Sequence, residues 1–295
     1  IKLRKVKTMR KQNIHTFIGC DNEYDESSIV IFGAPFDSTT SFRPGTRFAS
    51  SVMRNESFGI ETYSPYQDKD LEDYKIFDGG DLELSFGNSN LALQDIQNEA
   101  ESILNDGKIP FMIGGEHSVT LGAVKAVFKK YPDLHIIQFD AHTDLRDEYL
   151  GQYFSHASVI RRCWDMVGDN KIFQFGIRSG ERAEWDFAKK HLHTTKFNFG
   201  KNFDELDKVV EKLKGKPVYF TLDLDVLDPS EFPGTGTPEA GGVTFTELHK
   251  AIEKISKLNI VGLDMNELSP IYDQSGQSTA LACKLLREIL LFISK

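Results

Sequence analysis

The feature that most restricts the fold is a series of short apolar segments, almost free of polar interruption, separated by amphipathic stretches of helical length. They are IVIFGAP from Ile29, YKIFD from Tyr74, IPFMIGG from Ile109, LHIIQFD from Leu134, KIFQFGI from Lys171, TKFNF from Thr195, PVYFTLDLD from Pro217 and NIVGLDM from Asn259. A strand with one wet face alternates apolar and polar residues. A strand covered on both faces reads apolar throughout, so these segments predict a parallel sheet clothed by helices. Helix-like stretches near 91–106, 118–130, 156–167, 181–192, 203–214, 244–257 and 277–294 supply the covering layers. The expected fold class is α/β: a single-domain, doubly wound three-layer α/β/α arrangement around a mostly parallel sheet of about eight strands. There is no repeat, low-complexity tract or linker, so residues 29–295 are expected to form one domain, with 1–28 as an N-terminal extension of it. Residues 36–73 carry many Gly, Pro, Ser and Arg with little periodicity and are expected to be a long functional loop region.

Composition excludes several function classes. No apolar run approaches the roughly 20 residues needed to span a bilayer. The basic start (Lys2, Arg4, Lys5, Lys7, Arg10, Lys11) leads into a polar stretch rather than a hydrophobic core, so no signal peptide is expected and a cytoplasmic location is. Three widely separated cysteines, Cys20, Cys163 and Cys283, fit neither a disulfide framework nor a thiolate metal site and are expected to be structural. A net charge of -9 argues against nucleic acid or an anionic membrane as partner and mildly favours a cationic small molecule.

Polar residues gather where the apolar segments end, which is where an open parallel sheet places its ligands. GGEHS brings Glu116 and His117 after IPFMI. FDAHTD brings Asp140, His142 and Asp144 after LHIIQ. TLDLDVLDP brings Asp223 and Asp225, and DMNELSP brings Asp264 and Glu267. Spacing of i, i+2 on an extended backbone would send such side chains to one side. Taken singly, each has an ordinary structural reading, since Glu and Asp near helix starts usually cap and a histidine after Gly-Gly usually packs. Together they would set about four carboxylates and two imidazoles at one sheet edge, and buried charge of that density requires cations. An oxygen-rich set with two histidines and no thiolate suits Mn²⁺, with Fe, Co, Ni or Zn as alternatives.

These same blocks, together with PGTGTPEAGG from Pro233, resemble the signatures of the arginase/agmatinase (ureohydrolase) family over about Ile29 to the C-terminus. APFDSTTSFRPGTRFASSVMR, from Ala34 to Arg54, is similar to the agmatine-hydrolysing branch rather than to arginases. The resemblance implies two Mn²⁺ per chain. His117, Asp140, Asp144 and Asp223 would hold one, and Asp140, His142, Asp223 and Asp225 the other, with Asp140 and Asp223 bridging. It further implies that Glu267 binds the guanidinium and that His156 is the active-site histidine. From the residues alone, His156 in FSHAS reads equally as a polar residue in a helix's first turn. Glu116, Asp228 and Asp264 read as supporting or structural.

The implied reaction is attack of a metal-bridging hydroxide on the guanidinium of agmatine, giving putrescine and urea in polyamine biosynthesis. Asp144 would carry a proton to the leaving amine. His156, with an ordinary pKa near 6.5, would exchange protons with solvent. Arginases usually carry an Asn two residues after the last Asp of the DAHxD motif, where this chain has Arg146, a candidate substrate-binding residue able to pair with a carboxylate. Asp37 and Ser38 are candidates for a distal ammonium. Arginase or guanidinobutyrase activity, a non-catalytic metabolite-binding role and a single-zinc amidohydrolase are the alternatives. A homo-oligomer, trimer or hexamer, is expected from the resemblance.

Overall fold

The structure is a computed structural model that describes residues 15–195, 203 and 205–295. In chain order its first half contains β1 (Ile29–Gly33), α1 (Ala49–Glu56), β2 (Tyr63–Ser64), β3 (Lys69–Asp70), β4 (Ile76–Asp81), α2 (Ser89–Asn105), β5 (Ile109–Ile113), α3 (Thr120–Lys130) and β6 (His135–Phe139). There follow α4 (Val159–Val167), β7 (Ile172–Phe175), α5 (Arg182–His191), β8 (His193–Thr194), α6 (Leu206–Lys212), β9 (Pro217–Asp223), α7 (Phe245–Ile255), β10 (Asn259–Asn266) and α8 (Gln277–Ile293). Eight strands make one sheet in the order β4, β1, β5, β10, β9, β6, β7, β8, with every described pairing parallel. β2 and β3 pair separately as a small antiparallel hairpin.

Both faces of the sheet are dry, which is why its strands lack alternation. In β1, Ile29 and Ile31 enter one core while Val30 and Phe32 enter the other. The first core takes Met53 of α1, Leu206 of α6, Ile252 of α7 and Leu286 of α8. The second takes Ile96 of α2, Val124 of α3, Ile160 of α4 and Ala188 of α5. Three layers result. α2 and α3 approach closely because residue 122 is glycine: a Cβ there would lie 2.8 Å from the Ile96 side chain.

The expected single-domain α/β fold with an eight-stranded parallel sheet and helices on both faces is present. The strand expected from Thr195 falls, beyond Thr195 itself, outside the described residues, as do the basic residues Lys2 to Lys11, and the edge strand is β8 just before it. Residues 36–73 are more structured than expected, because α1 and the β2–β3 hairpin lie within them.

A buried ion cluster ties this region to the sheet. Arg54 of α1 is 2 % exposed, donates from Nε to Asp78 at 2.8 Å and also pairs with Asp81. Asp78 of β4 additionally accepts the Phe17 N–H at 2.8 Å. Arg54→Leu leaves the Asp78 carboxylate buried without its counter-charge, so the expected loss is roughly 3–5 kcal/mol. Denaturant unfolding checks this, and a loss below about 1 kcal/mol would show that the remaining donors suffice.

The crossover after β5 skips two places to β6, and β9 and β10 later fill the gap. The C-terminal ends of β5, β10, β9 and β6 therefore stand side by side at the reversal of winding, where such sheets bind ligands. Among the described residues no helix is long and apolar enough to cross a membrane.

Candidate functional site

Each central strand delivers acid or imidazole groups as it ends. After β5 the chain turns through Gly114 and Gly115, where a side chain would overlap Asn266 and the Phe36 carbonyl respectively. Only glycine permits that passage. It seats His117 at the head of α3, 1 % exposed, with its N–H donating to Glu267 Oε1 at 2.7 Å.

The His117 ring is oriented from behind. Its Nε2 lies 2.8 Å from Thr221 Oγ1, the Thr221 hydroxyl donates to Asp264 Oδ1 at 2.7 Å, and Tyr219 donates to Asp264 Oδ2 at 2.6 Å. With the threonine proton committed to Asp264, Nε2 must donate, which leaves the Nδ1 lone pair facing forward. Nδ1 is buried and has no hydrogen-bond donor. Around it stand Asp140 Oδ2 at 3.0 Å, Asp144 Oδ2 at 2.9 Å and Asp223 Oδ2 at 3.3 Å.

A second group adjoins the first. His142 Nδ1 lies 2.9 Å from Asp225 Oδ2 and 3.7 Å from Asp140 Oδ1. Two sets, His117–Asp140–Asp223 and Asp140–His142–Asp225, therefore have the spacing to hold an ion each, and Asp140 is common to both. All six predicted ligands converge.

Their convergence does not come from an extended backbone, as the spacing suggested. β6 stops at Phe139, and Asp144 sits at φ 54°, while Asp225 lies in the 3-10 turn Leu224–Val226. Turns aim the carboxylates, and the left-handed backbone at Asp144 costs on the order of 1 kcal/mol. Glu267 has φ 67° and belongs to the same kind of terminus.

Electrostatics mark the cluster as short of positive charge. Burial works against protonation of His117, yet the carboxylates of Asp140, Asp144 and Asp223 crowded around Nδ1 pull its pKa well above the usual range. Burial and the neighbouring Asp140 push Asp144 up to about 7, and burial with Asp225 and Asp140 raises Asp223 well above a normal carboxylate. Burial likewise raises Glu267, reinforced by Glu116 and Asp225. Carboxylates in this state favour a cation among them. Thiolates play no part, because Cys20, Cys163 and Cys283 are all buried and burial pushes the latter two up to about 12.

Above the cluster opens a cavity of about 390 Å³ whose floor includes His117, His142, Asp144, Asp223, Asp225 and Glu267. The chain matches the model of the arginase family over residues 27–292. The chain belongs to the arginase family. It is 46 % identical to the agmatinase of Bacillus subtilis over 93 % of this chain and 95 % of that one. It is 32 % identical to the guanidinobutyrase of Pseudomonas aeruginosa, covering 91 % and 87 %. A solved Clostridium difficile protein, described provisionally as an agmatinase, superposes with a TM-score of 0.89 at 55 % identity, covering 92 % of this chain and 99 % of that one.

Within this arginase-family pocket the wall departs from sequence expectation at several points. His156 does face the cavity, in a 3-10 turn ahead of α4, with its N–H donating to Thr39 Oγ1 at 3.1 Å and Nε2 lying 3.3 Å from Ser41 Oγ. Burial pushes its pKa down to about 4, with the positive neighbours His142, His117 and Arg146 adding to the effect. It is therefore neutral at pH 7 and not the group titrating near neutrality that its ordinary pKa suggested. Arg146 also lines the cavity, but its guanidinium is engaged: Glu181 lies at 3.0 Å, Glu184 at 3.8 Å, and the Tyr149 ring lies 4.3 Å beneath it. Asp37 is 3 % exposed, accepts the Gly45 N–H at 2.8 Å and pairs with Arg47, so it shapes its loop rather than meeting a ligand. Ser38 is exposed and does not line the cavity; Ser41 does.

Glu181, Glu184 and Tyr149 are wall residues that sequence reasoning missed. The E-x-x-E spacing at the start of α5 was a visible signal, and Glu181 and Glu184 do form a capping box there. Glu116 is fully buried and accepts from Thr39 N at 2.7 Å and Ser118 Oγ at 2.5 Å, which ties the 36–48 loop to the cluster, a supporting role as expected.

Proposed function

We propose that this chain is a binuclear manganese hydrolase that cleaves agmatine to putrescine and urea, a step of polyamine biosynthesis. The observation that carries the reading is the pair of ligand groups sharing Asp140 beneath an acid-rimmed cavity. The agmatinases among its relatives support the substrate. The donor set of carboxylates and two imidazoles without thiolate suits Mn²⁺. His117, Asp140, Asp144 and Asp223 would hold one ion, and Asp140, His142, Asp223 and Asp225 the other. When bound, such a pair of cations supplies the Lewis acidity that generates a water-derived nucleophile at neutral pH.

The chain's own groups do the rest. Glu267, a buried carboxyl at the cavity floor, pairs with the substrate guanidinium and so orients the carbon toward the cluster. Asp144, beside His117 at the cluster, would carry a proton to the leaving amine. His156, neutral, faces the cavity from the wall with Nε2 beside Ser41 Oγ. At the rim, Glu181 is 60 % exposed and paired only with Arg146 among its recorded ion pairs, which makes it the candidate acceptor for the distal ammonium of agmatine.

Residues 29–295 form the catalytic domain in this reading, and 1–28 extend it; burial of Phe17 and Cys20 in the first core supports that attachment. A cytoplasmic location and a homo-oligomer, trimer or hexamer, belong to the same reading, on the strength of the family resemblance. The test is to load the protein with Mn²⁺ and assay urea and putrescine from agmatine. Equimolar products are expected, and absence of both from a folded, metal-loaded protein would overturn the proposal.

A further inference from the structure

Asp144 is held in a left-handed backbone at φ 54°, a conformation its neighbours must enforce. One side chain grips the segment on both sides of it. Glu184 Oε1 accepts the Thr143 hydroxyl at 2.7 Å and the Leu145 N–H at 2.9 Å. Both donors and the acceptor are buried: Thr143 is 0 %, Leu145 1 % and Glu184 6 % exposed. The other carboxylate oxygen, Oε2, accepts the Glu181 N–H at 2.8 Å and faces Arg146 Nε at 3.8 Å.

The backbone of Asp144 is anchored from a second direction as well. Its carbonyl accepts from Ile160 and Arg161 at the start of α4, both at 3.1 Å, and the Thr143 carbonyl accepts from Gln174 Nε2 at 2.8 Å. The carbonyls are thus fixed by α4 and β7, while the flanking donors of the turn are fixed by α5 through one carboxylate oxygen. Gly180 allows the contact, since a Cβ there would lie 2.6 Å from Thr143 Oγ1.

We propose that Glu184 is a positioning residue that, through Thr143 Oγ1 and Leu145 N–H, holds Asp144 in the geometry needed to reach the ion at His117, and so links the pocket rim to the metal cluster. This rests on the two-cation reading above. The link runs through a single carboxylate, because the atom beside the one that brackets Asp144 carries Glu181, the rim acid proposed to meet the substrate's far end.

The two oxygens can be separated by mutation. Glu184→Gln keeps Oε1 as an acceptor for Thr143 and Leu145 and spoils only the Oε2 contact with the Glu181 N–H. Glu184→Ala removes both. Thr143→Val removes one of the two bracketing donors without touching α5. Mn²⁺ titrated calorimetrically into the metal-stripped full chain reads ion affinity, and thermal unfolding of the same samples reads stability.

The expected result is that Glu184→Ala weakens one of two ions by about 10- to 100-fold, as loss of a ligand's supporting partner typically does. Thr143→Val should weaken the same ion by about tenfold, and Glu184→Gln should bind both ions close to wild type. If Glu184 merely capped α5, the Gln and Ala variants would lose similar stability and neither would change ion affinity, and that pattern would overturn the inference. So would equal loss of affinity in both Glu184 variants, or wild-type affinity in Thr143→Val, which also decides the matter if Glu184→Ala does not fold. A wild-type chain that binds no Mn²⁺ would instead overturn the two-cation reading itself.

Discussion

Replacing Asp140 by Asn is expected to reduce urea release by at least on the order of a thousandfold and to leave less than one tightly bound ion per chain, in a protein that still folds. Asp140 lies in both of the spatial groups His117–Asp140–Asp223 and Asp140–His142–Asp225 and, like Asp223, is assigned to both ions; it is fully buried, with oxygens 3.0 Å from His117 Nδ1 and 3.7 Å from His142 Nδ1. Burial opposes its charge, but His117 and His142 keep it ionised, below the usual carboxylate range. Its hydrogen bonds from Gln138 Nε2 at 2.6 Å and the His142 N–H at 2.5 Å fix both oxygens toward the cluster. An amide of the same shape would present a donor where a cation belongs and remove a negative charge from both ion sites at once. Elemental analysis of the dialysed variant, with circular dichroism to verify the fold, makes the check. Two ions retained at unchanged affinity would show that Asp140 does not serve both groups.

Agmatine is expected to be hydrolysed with a kcat/KM at least about tenfold above that for arginine, since the guanidinium that lines the cavity, Arg146, is already paired when an arginine α-carboxylate arrives. Agmatine and arginine share the guanidinium and differ at the rim. There the wall presents Glu181 and Glu184, and Arg146, the one guanidinium among the described lining residues, is committed to both and stacked on Tyr149. A carboxylate arriving there would meet like charge and would have to draw Arg146 out of its pairs. An ammonium meets Glu181. Arg146→Ala should therefore leave agmatine the better substrate. Equal kcat/KM values in the wild type, or a preference for arginine that vanishes in Arg146→Ala, would show that Arg146 serves as a carboxylate clamp.

The architecture was legible because dry strands cannot hide their composition: β1, β5, β6, β7 and β9 lie within the apolar runs that predicted them, and β10 outruns its own by one residue. The gathering of the six candidates was legible because their motifs close neighbouring dry strands, and their reading as a ligand set came from the family resemblance of those motifs. What the residues alone could not show was how the ligands converge. The turn at Asp144 is contacted by Glu184, 40 positions further along the chain, and by the start of α4, and local spacing carries no trace of such contacts. The wall was hidden for the opposite reason. Glu181 and Glu184 wear an ordinary helix-capping pattern, which absorbs them before any functional reading is made. Asp37 failed as a ligand candidate because its partner, Arg47, is set by a loop whose course is not periodic. His156 lines the cavity, and the burial that lowers its pKa was not legible because it depends on Thr39 and Ser41 of the 36–48 loop lying against it.

The central claim is that two cations, not one, make this pocket hydrolytic toward a guanidinium. Titrating Mn²⁺ into the metal-stripped protein while following urea release from agmatine tests it most directly. Activity should rise with occupancy and level off only when two ions per chain are bound. Full activity at one ion per chain, or no urea at two, would contradict it.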